Sequence, residues 1–297
     1  MRRSRTELYS DQKSMFETII VFVIIGLIIT GILVNPMLIK RRINRLKRRS
    51  FPSFWNAIIE NNLPIYLYLS ADERRRLQGH IQVFLTQKQF IGCRGLQVTE
   101  EMKIIIAAVA CLLLLNERGQ YFPRLRSILV YPSAYIVKET AAIGDYVVEE
   151  RRVARLGESW TKDQLILSWK QVKQDTINWQ DGRNVVLHEF AHQLDQEDGK
   201  AEGVPILQRN SDYQTWAKVM TEAYQQLGND VLQGVNTVMD SYGATNPAEF
   251  FAVATETFFE KPHQLLSYHP AVYQQLQSYY QLNPVQWNYP SSVTFIQ

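Results

Sequence analysis

Two histidines four residues apart, with a glutamate after the first, are the residues of this chain best suited to chemistry. They stand in Asn184-Val185-Val186-Leu187-His188-Glu189-Phe190-Ala191-His192-Gln193-Leu194-Asp195. On a helix, positions i and i+4 lie one turn apart on one face, so His188 and His192 can reach a single ion. Imidazole nitrogen suits zinc, and a catalytic zinc site keeps one position open for water. Glu189 then stands where a general base would take the proton of a water activated by the ion. The five-residue pattern alone is weak, and its context strengthens it. Leu187, Phe190, Ala191 and Leu194 fall at i, i+3, i+4 and i+7 and form an apolar stripe. His188, Glu189, His192 and Asp195 occupy the adjacent face. Asp195 has two readings of equal weight: it orients a ligand histidine, or it ends the helix ahead of Gln196-Glu197-Asp198-Gly199.

A catalytic zinc needs a third protein ligand. His80 lies far upstream, and His263 and His269 stand beside prolines in expected loops. A carboxylate is the alternative, and Ser241 to Glu256 offers it. Asn246 can cap a helix with Pro247 at its first position. Glu249 then falls at the third helical position, where it is either a ligand or a capping-box glutamate. Glu256 lies two turns on along the same face and competes for the same role. Spacing favours Glu249 only modestly. Tyr242, seven residues earlier, can donate its phenol to the oxyanion of a tetrahedral intermediate.

These residues need a scaffold. The chain has 297 residues, enough for a substantial core, and 46 % hydrophobic residues exclude a disordered chain. A net charge of +3 gives no field that would recruit nucleic acid. Cys93 and Cys111 lie outside any CxxC pattern and are given no role. Ser70-Ala71-Asp72-Glu73 has capping-box spacing, with Leu77, Ile81, Phe84 and Leu85 following at helical period. Thr99-Glu100-Glu101 opens a second helix whose apolar run, Ile104 to Leu115, suits a buried core element, with Gly119 as its stop. Short runs at Ser127 to Tyr131, Tyr135 to Val137, Tyr146 to Val148 and Leu165 to Trp169 read as strands of a small sheet. Leu165 to Trp169 is read either as an ordinary core strand or as one that offers its edge to an extended substrate. Helical patterns return from Arg183. The fold class is α+β, with one catalytic domain over residues 53–290 and a tail at 291–297.

Ile19 to Val34 carries no charge, and with residues 35–39 it reaches about 20 residues, the length of a transmembrane helix. Basic residues flank it on both sides, more heavily at Lys40 to Arg49. The expectation is an N-terminal flank (1–18), one transmembrane helix (19–39) and a basic linker (40–52), with the catalytic domain in the cytoplasm.

Taken together, several stretches resemble the Mlc titration factor A (MtfA) family of zinc peptidases, whose catalytic helices are similar to those of anthrax lethal factor. They are Gly157-Glu158-Ser159-Trp160, Leu167-Ser168-Trp169, the block Asn184 to Asp195 with Asp198-Gly199, and Tyr242 to Phe259. The resemblance runs from about Phe51 to Tyr289. It implies a gluzincin-type, zincin-like metallopeptidase domain with one zinc ion on His188, His192 and the glutamate of Ala248-Glu249-Phe250-Phe251. It also implies Glu189 and Tyr242 as catalytic residues, peptide or protein substrates, and an aminopeptidase-like activity among known members. A regulatory protein partner, the repressor Mlc, belongs to the family's better-known members; those are soluble, so the N-terminal apolar stretch is a departure. The competing function is a membrane-tethered regulatory module that binds a protein partner and for which zinc is secondary.

Overall fold

The computed structural model describes residues 35–116, 121–133, 135–142, 148–155, 157–161 and 163–288. The chain divides into two units, Met1–Arg49 and Ser50–Gln297. In the first, residues 35–47 form a helix, α1, that runs through Lys40, Arg41, Arg42 and Arg45. Residues 19–34 of the expected span lie outside the described residues. Among the described residues no helix is long and apolar enough to cross a membrane. The described part of α1 spans only about 20 Å at 1.5 Å per residue, and it carries the basic run itself. The single-pass membrane assignment, and the cytoplasmic orientation drawn from it, are therefore not supported.

The second unit begins with α2 (Ser53–Asn62) and a 3₁₀ turn (Pro64–Tyr68), then α3 (Ala71–Gln87). Ser70 and Glu73 form the capping box that opens α3: the Glu73 N–H donates to Ser70 Oγ, and the Ser70 N–H to Glu73. Leu77, Ile81 and Phe84 are fully buried along its inner face. Strand β1 (Gln89–Gly92) follows, then α4 (Glu100–Leu112), capped by Thr99. From Ile104 to Leu112 every residue of α4 is buried, as a core helix requires. It ends earlier than expected, at Leu112, in turns over 113–116; Gly119 lies outside the described residues.

Strands β2 (Ser127–Tyr131), β3 (Tyr135–Ala142), β4 (Val148–Arg155), β5 (Gly157–Thr161) and β6 (Gln164–Ser168) come next. They form two sheets. One has the order β1-β2-β6-β5, with β1, β2 and β6 parallel and β5 antiparallel to β6. The other is the antiparallel pair β3-β4. Strand β6 pairs on both sides, with β2 and β5, so it has no edge to offer; the outer strands of that sheet are β1 and β5. Its sequence shows why: Leu165, Ile166 and Leu167 are all buried, the continuous apolar run of a central strand.

Helices complete the unit: α5 (Trp169–Ile177), α6 (Val185–Asp195), α7 (Asp212–Leu232), α8 (Pro247–Glu260), α9 (Pro262–Tyr268) and α10 (Pro270–Tyr280), with 3₁₀ turns at Ser241–Ala244 and Pro284–Trp287. The apolar stripe of α6 enters the core, where Phe190 meets Phe122 at 4.7 Å and Phe84 at 5.7 Å between ring centroids. The result is a mixed helical domain around a small, mainly parallel sheet. Cys93 and Cys111 are not joined in a disulfide.

Candidate metal centre

The site is built where α6 and α8 pack together. Asn184 caps α6, its Oδ1 accepting the N–H groups of Val186 and Leu187. The other backbone donors at this helix start go to carboxylates. Val185 N–H donates to Asp175 at 2.9 Å and Asn184 N–H to Glu256 at 2.5 Å. Those of Gly182 and Arg183 both donate to Glu260 at 3.0 Å. Every one of these donors thus has an acceptor. Burial, first of all, pushes the carboxyls of Asp175, Glu256 and Glu260 upward, Asp175 to about 7.

Helix α8 supplies the opposite wall. Asn246 accepts the Glu249 N–H at 3.0 Å, and Pro247 takes the first helical position, as the cap pattern predicts. Glu249, Glu256 and Glu260 recur at i, i+7 and i+11 and so share one face. The Glu249 carboxylate does not fold back on its cap. It reaches His188 Nε2 at 2.9 Å and His192 Nε2 at 3.2 Å, and the two Nε2 atoms are 3.2 Å apart. Among the described residues, these three side chains form the group able to hold a metal ion. Donors about 2.0–2.1 Å from a tetrahedral zinc stand about 3.3 Å from one another, so the spacing fits that ion. The donor chemistry fits as well: two imidazole nitrogens and one carboxylate oxygen.

Glu256, weighed as a rival ligand, has another place. One of its oxygens accepts from His188 Nδ1 at 2.7 Å and the other from the Asn184 N–H. A proton held on Nδ1 leaves the Nε2 lone pair for a metal. Burial disfavours a charged His188, yet the hydrogen bonds to Glu249 and Glu256 hold its pKa well above the usual value. Burial likewise works against the Glu249 carboxylate, but the two histidines hold it down to about 2.

Glu189 is buried on α6, and its charge acts on His188. Tyr242 lies in the 3₁₀ turn before α8, 53 % exposed, its ring 5.9 Å from that of His188. Asp195 is the last residue of α6, and it accepts the N–H groups of Gly203 and Val204 at 2.9 and 2.7 Å. It thereby holds the loop that follows α6. His80 is buried against Tyr121 at 2.8 Å, while His263 lies in α9 and His269 directly precedes α10; none joins the cluster. The role of Glu256 was the functional feature that sequence reasoning missed. Its signal was the shared face with Glu249, which could not distinguish a ligand from the group that orients one.

A histidine pair on one helix turn, completed by a carboxylate from a second helix, defines the class of single-ion sites found in HExxH metallopeptidases. The chain belongs to the glucose-regulated metallo-peptidase M90 family, whose model matches residues 38–281. It is 47 % identical over 272 residues to an uncharacterized protein of Synechocystis sp., covering 91 % of this chain and 99 % of that one. It is similar to proteins called Mlc titration factor A: 30 % identical over 227 residues to that of Salmonella arizonae, covering 75 % and 89 % of the two chains. The corresponding figures for Enterobacter sp. (strain 638) are 32 % over 227 residues, 75 % and 84 %. The family resemblance read from the motifs is thus established.

Proposed function

We propose that this chain is a zinc-dependent peptidase of gluzincin type, with one zinc ion held by His188, His192 and Glu249. The convergence of those three side chains at zinc-like spacing carries the reading. Three protein ligands leave a fourth position for water or substrate. Bound zinc supplies Lewis-acid polarisation of a water molecule and of the scissile carbonyl. Glu189 takes the proton from the attacking water and passes it to the leaving amine. The Tyr242 phenol, on the exposed side of His188, donates to the carbonyl oxygen as negative charge develops there. Glu256 keeps the His188 ring in register. The outer edge of β5 is the place where an extended peptide can add a strand.

The test combines metal analysis with cleavage-site profiling of a peptide library by the full chain, with and without a chelator. Stoichiometric zinc and chelator-sensitive cleavage are expected, with loss of cleavage in zinc-loaded Glu189→Gln. Absence of zinc removes the enzyme reading, and full activity in Glu189→Gln removes the general base. The name of the titration-factor relatives supports a second reading, binding of a regulatory protein. A Glu189→Gln variant that loses hydrolysis but keeps partner binding and phenotype favours that reading.

A further inference from the structure

Tyr242 stands on a four-residue turn, half-exposed, with its ring 5.9 Å from that of His188. Its backbone gives a further hold on where the phenol points. Asp240 is the cap of that turn. Its Oδ1 accepts the Tyr242 N–H at 2.8 Å, and its carbonyl accepts the Gly243 N–H at 3.0 Å. Its Oδ2 accepts Nε of Arg183 at 2.6 Å and faces Nη2 at 2.5 Å. Arg183 is itself fixed: its N–H donates to Asp181 and Glu260, and the next residue, Asn184, is the cap of the histidine helix. One carboxylate therefore ties the Tyr242 backbone to the start of α6.

We infer that Arg183 and Asp240 form a clamp that positions Tyr242 against the histidine face of α6, both being positioning residues. The inference rests on the reading of Tyr242 as the oxyanion donor. Two features of the surroundings support it. The turn is seated tightly, since a Cβ at Gly243 would stand 3.1–3.3 Å from Leu227 and Val253, so it can lean only away from α7 and α8. On the other side Arg183, Asp240 and Ser241 line an open cleft of about 560 Å³. The Arg183 side chain is 71 % exposed, and an exposed ion pair adds little stability, about 0–1 kcal/mol. A guanidinium using two nitrogens restricts direction as well as distance, which suits an aiming role.

Steady-state kinetics on the zinc-loaded full chain test the clamp. Arg183→Ala is expected to lower kcat by roughly ten- to hundredfold with KM and zinc content unchanged, because a misplacement of about 1 Å costs on that scale. Arg183→Lys restores part of the loss. In a Tyr242→Phe background, Arg183→Ala adds nothing; an equal loss in both backgrounds overturns the clamp. A second arm needs no activity. Amide exchange of a peptide covering residues 241–245 in the zinc-free chain is expected to speed up in Arg183→Ala and in Asp240→Ala, and unchanged exchange overturns the inference. If the parent chain cleaves no peptide, the reading of the site falls, and the exchange arm alone decides the clamp.

Discussion

His188 and Glu256 are joined by a 2.7 Å hydrogen bond from the ring Nδ1 to a carboxylate whose other oxygen accepts the Asn184 N–H. Both oxygens of Glu256 are committed as acceptors. A glutamine there has one acceptor oxygen in place of two, so with the same side-chain geometry its amide NH₂ faces either the ring N–H or the backbone N–H. Glu256→Gln is expected to weaken zinc binding by about 10- to 100-fold while the three ligands stay in place. Competition with a chromophoric chelator measures it; unchanged affinity would show that the ring orients without Glu256.

The same histidine sets the proton balance of metal binding. With no ion bound, hydrogen bonds to Glu249 and Glu256 outweigh burial and favour the charged form of His188. Glu249, held down to about 2, carries no proton to lose there. Zinc needs the Nε2 lone pair of His188, so about one proton must leave as the ion enters. Apparent affinity should therefore rise with pH through the neutral range until His188 is neutral without the ion. Calorimetry at pH 7 in buffers of different ionisation enthalpy should show that release, and buffer-independent heats would contradict it.

Much of this site was legible because its signals are local. The cap at Asn184, the apolar stripe from Leu187 to Leu194 and the Asn246-Pro247 helix start are all written within one or two turns. So was the peptidase family, from motifs distributed along the chain. What escaped depends on partners distant in sequence. Glu256 meets His188 across 68 positions, and periodicity places Glu249 and Glu256 on one face without saying which one touches the metal. Asp195 turned out to hold a loop because its partners are backbone N–H groups, which carry no sequence signature. The apolar run Leu165-Ile166-Leu167 suits a central strand, but the strand that covers the outer side of β6 was hidden. That strand, β5, reads Gly-Glu-Ser-Trp-Thr, without the β-branched run that marks a strand. The apolar stretch before residue 35 shows how a hydropathy pattern can suggest an anchor that no described helix supports.

Gly203 links the two site helices through a close approach. Its N–H donates to Asp195 at the end of α6, and its φ is +74°. A Cβ at this position would lie 2.2 Å from the carbonyl oxygen of Pro247, at the start of α8. Neither backbone can yield without moving the turn that carries Glu249. Gly203→Ala is expected to destabilise the zinc-free chain by about 2–4 kcal/mol, from the left-handed φ and the overlap together. It should also weaken zinc binding, since Glu249 sits two residues beyond Pro247. Chemical denaturation in chelator and a metal competition assay measure the two effects. Loss of stability with unaltered affinity would show that the loop does not set the position of Glu249.

Asp175 gives the fold a pH dependence of unusual sign. It is 5 % exposed, and burial chiefly raises its pKa from 3.8 to about 7; the Val185 N–H and Gln171 pull the other way. Between about pH 4 and pH 7 the folded chain therefore holds a proton here that the unfolded chain has lost. Stability falls as pH rises through that window and levels off above it, the reverse of an ion-paired carboxylate. A shift of that size corresponds to a contribution on the order of 4 kcal/mol. Asparagine can still accept the Val185 N–H, and Gln171 can turn its carbonyl toward the new NH₂. Asp175→Asn should thus gain stability relative to the parent chain as pH is raised from 5 to 8, with little difference near pH 4. Paired denaturation curves at those pH values, both proteins in chelator, read the difference directly. A gap that stays constant with pH would mean that Asp175 is already ionised in the folded chain at pH 5.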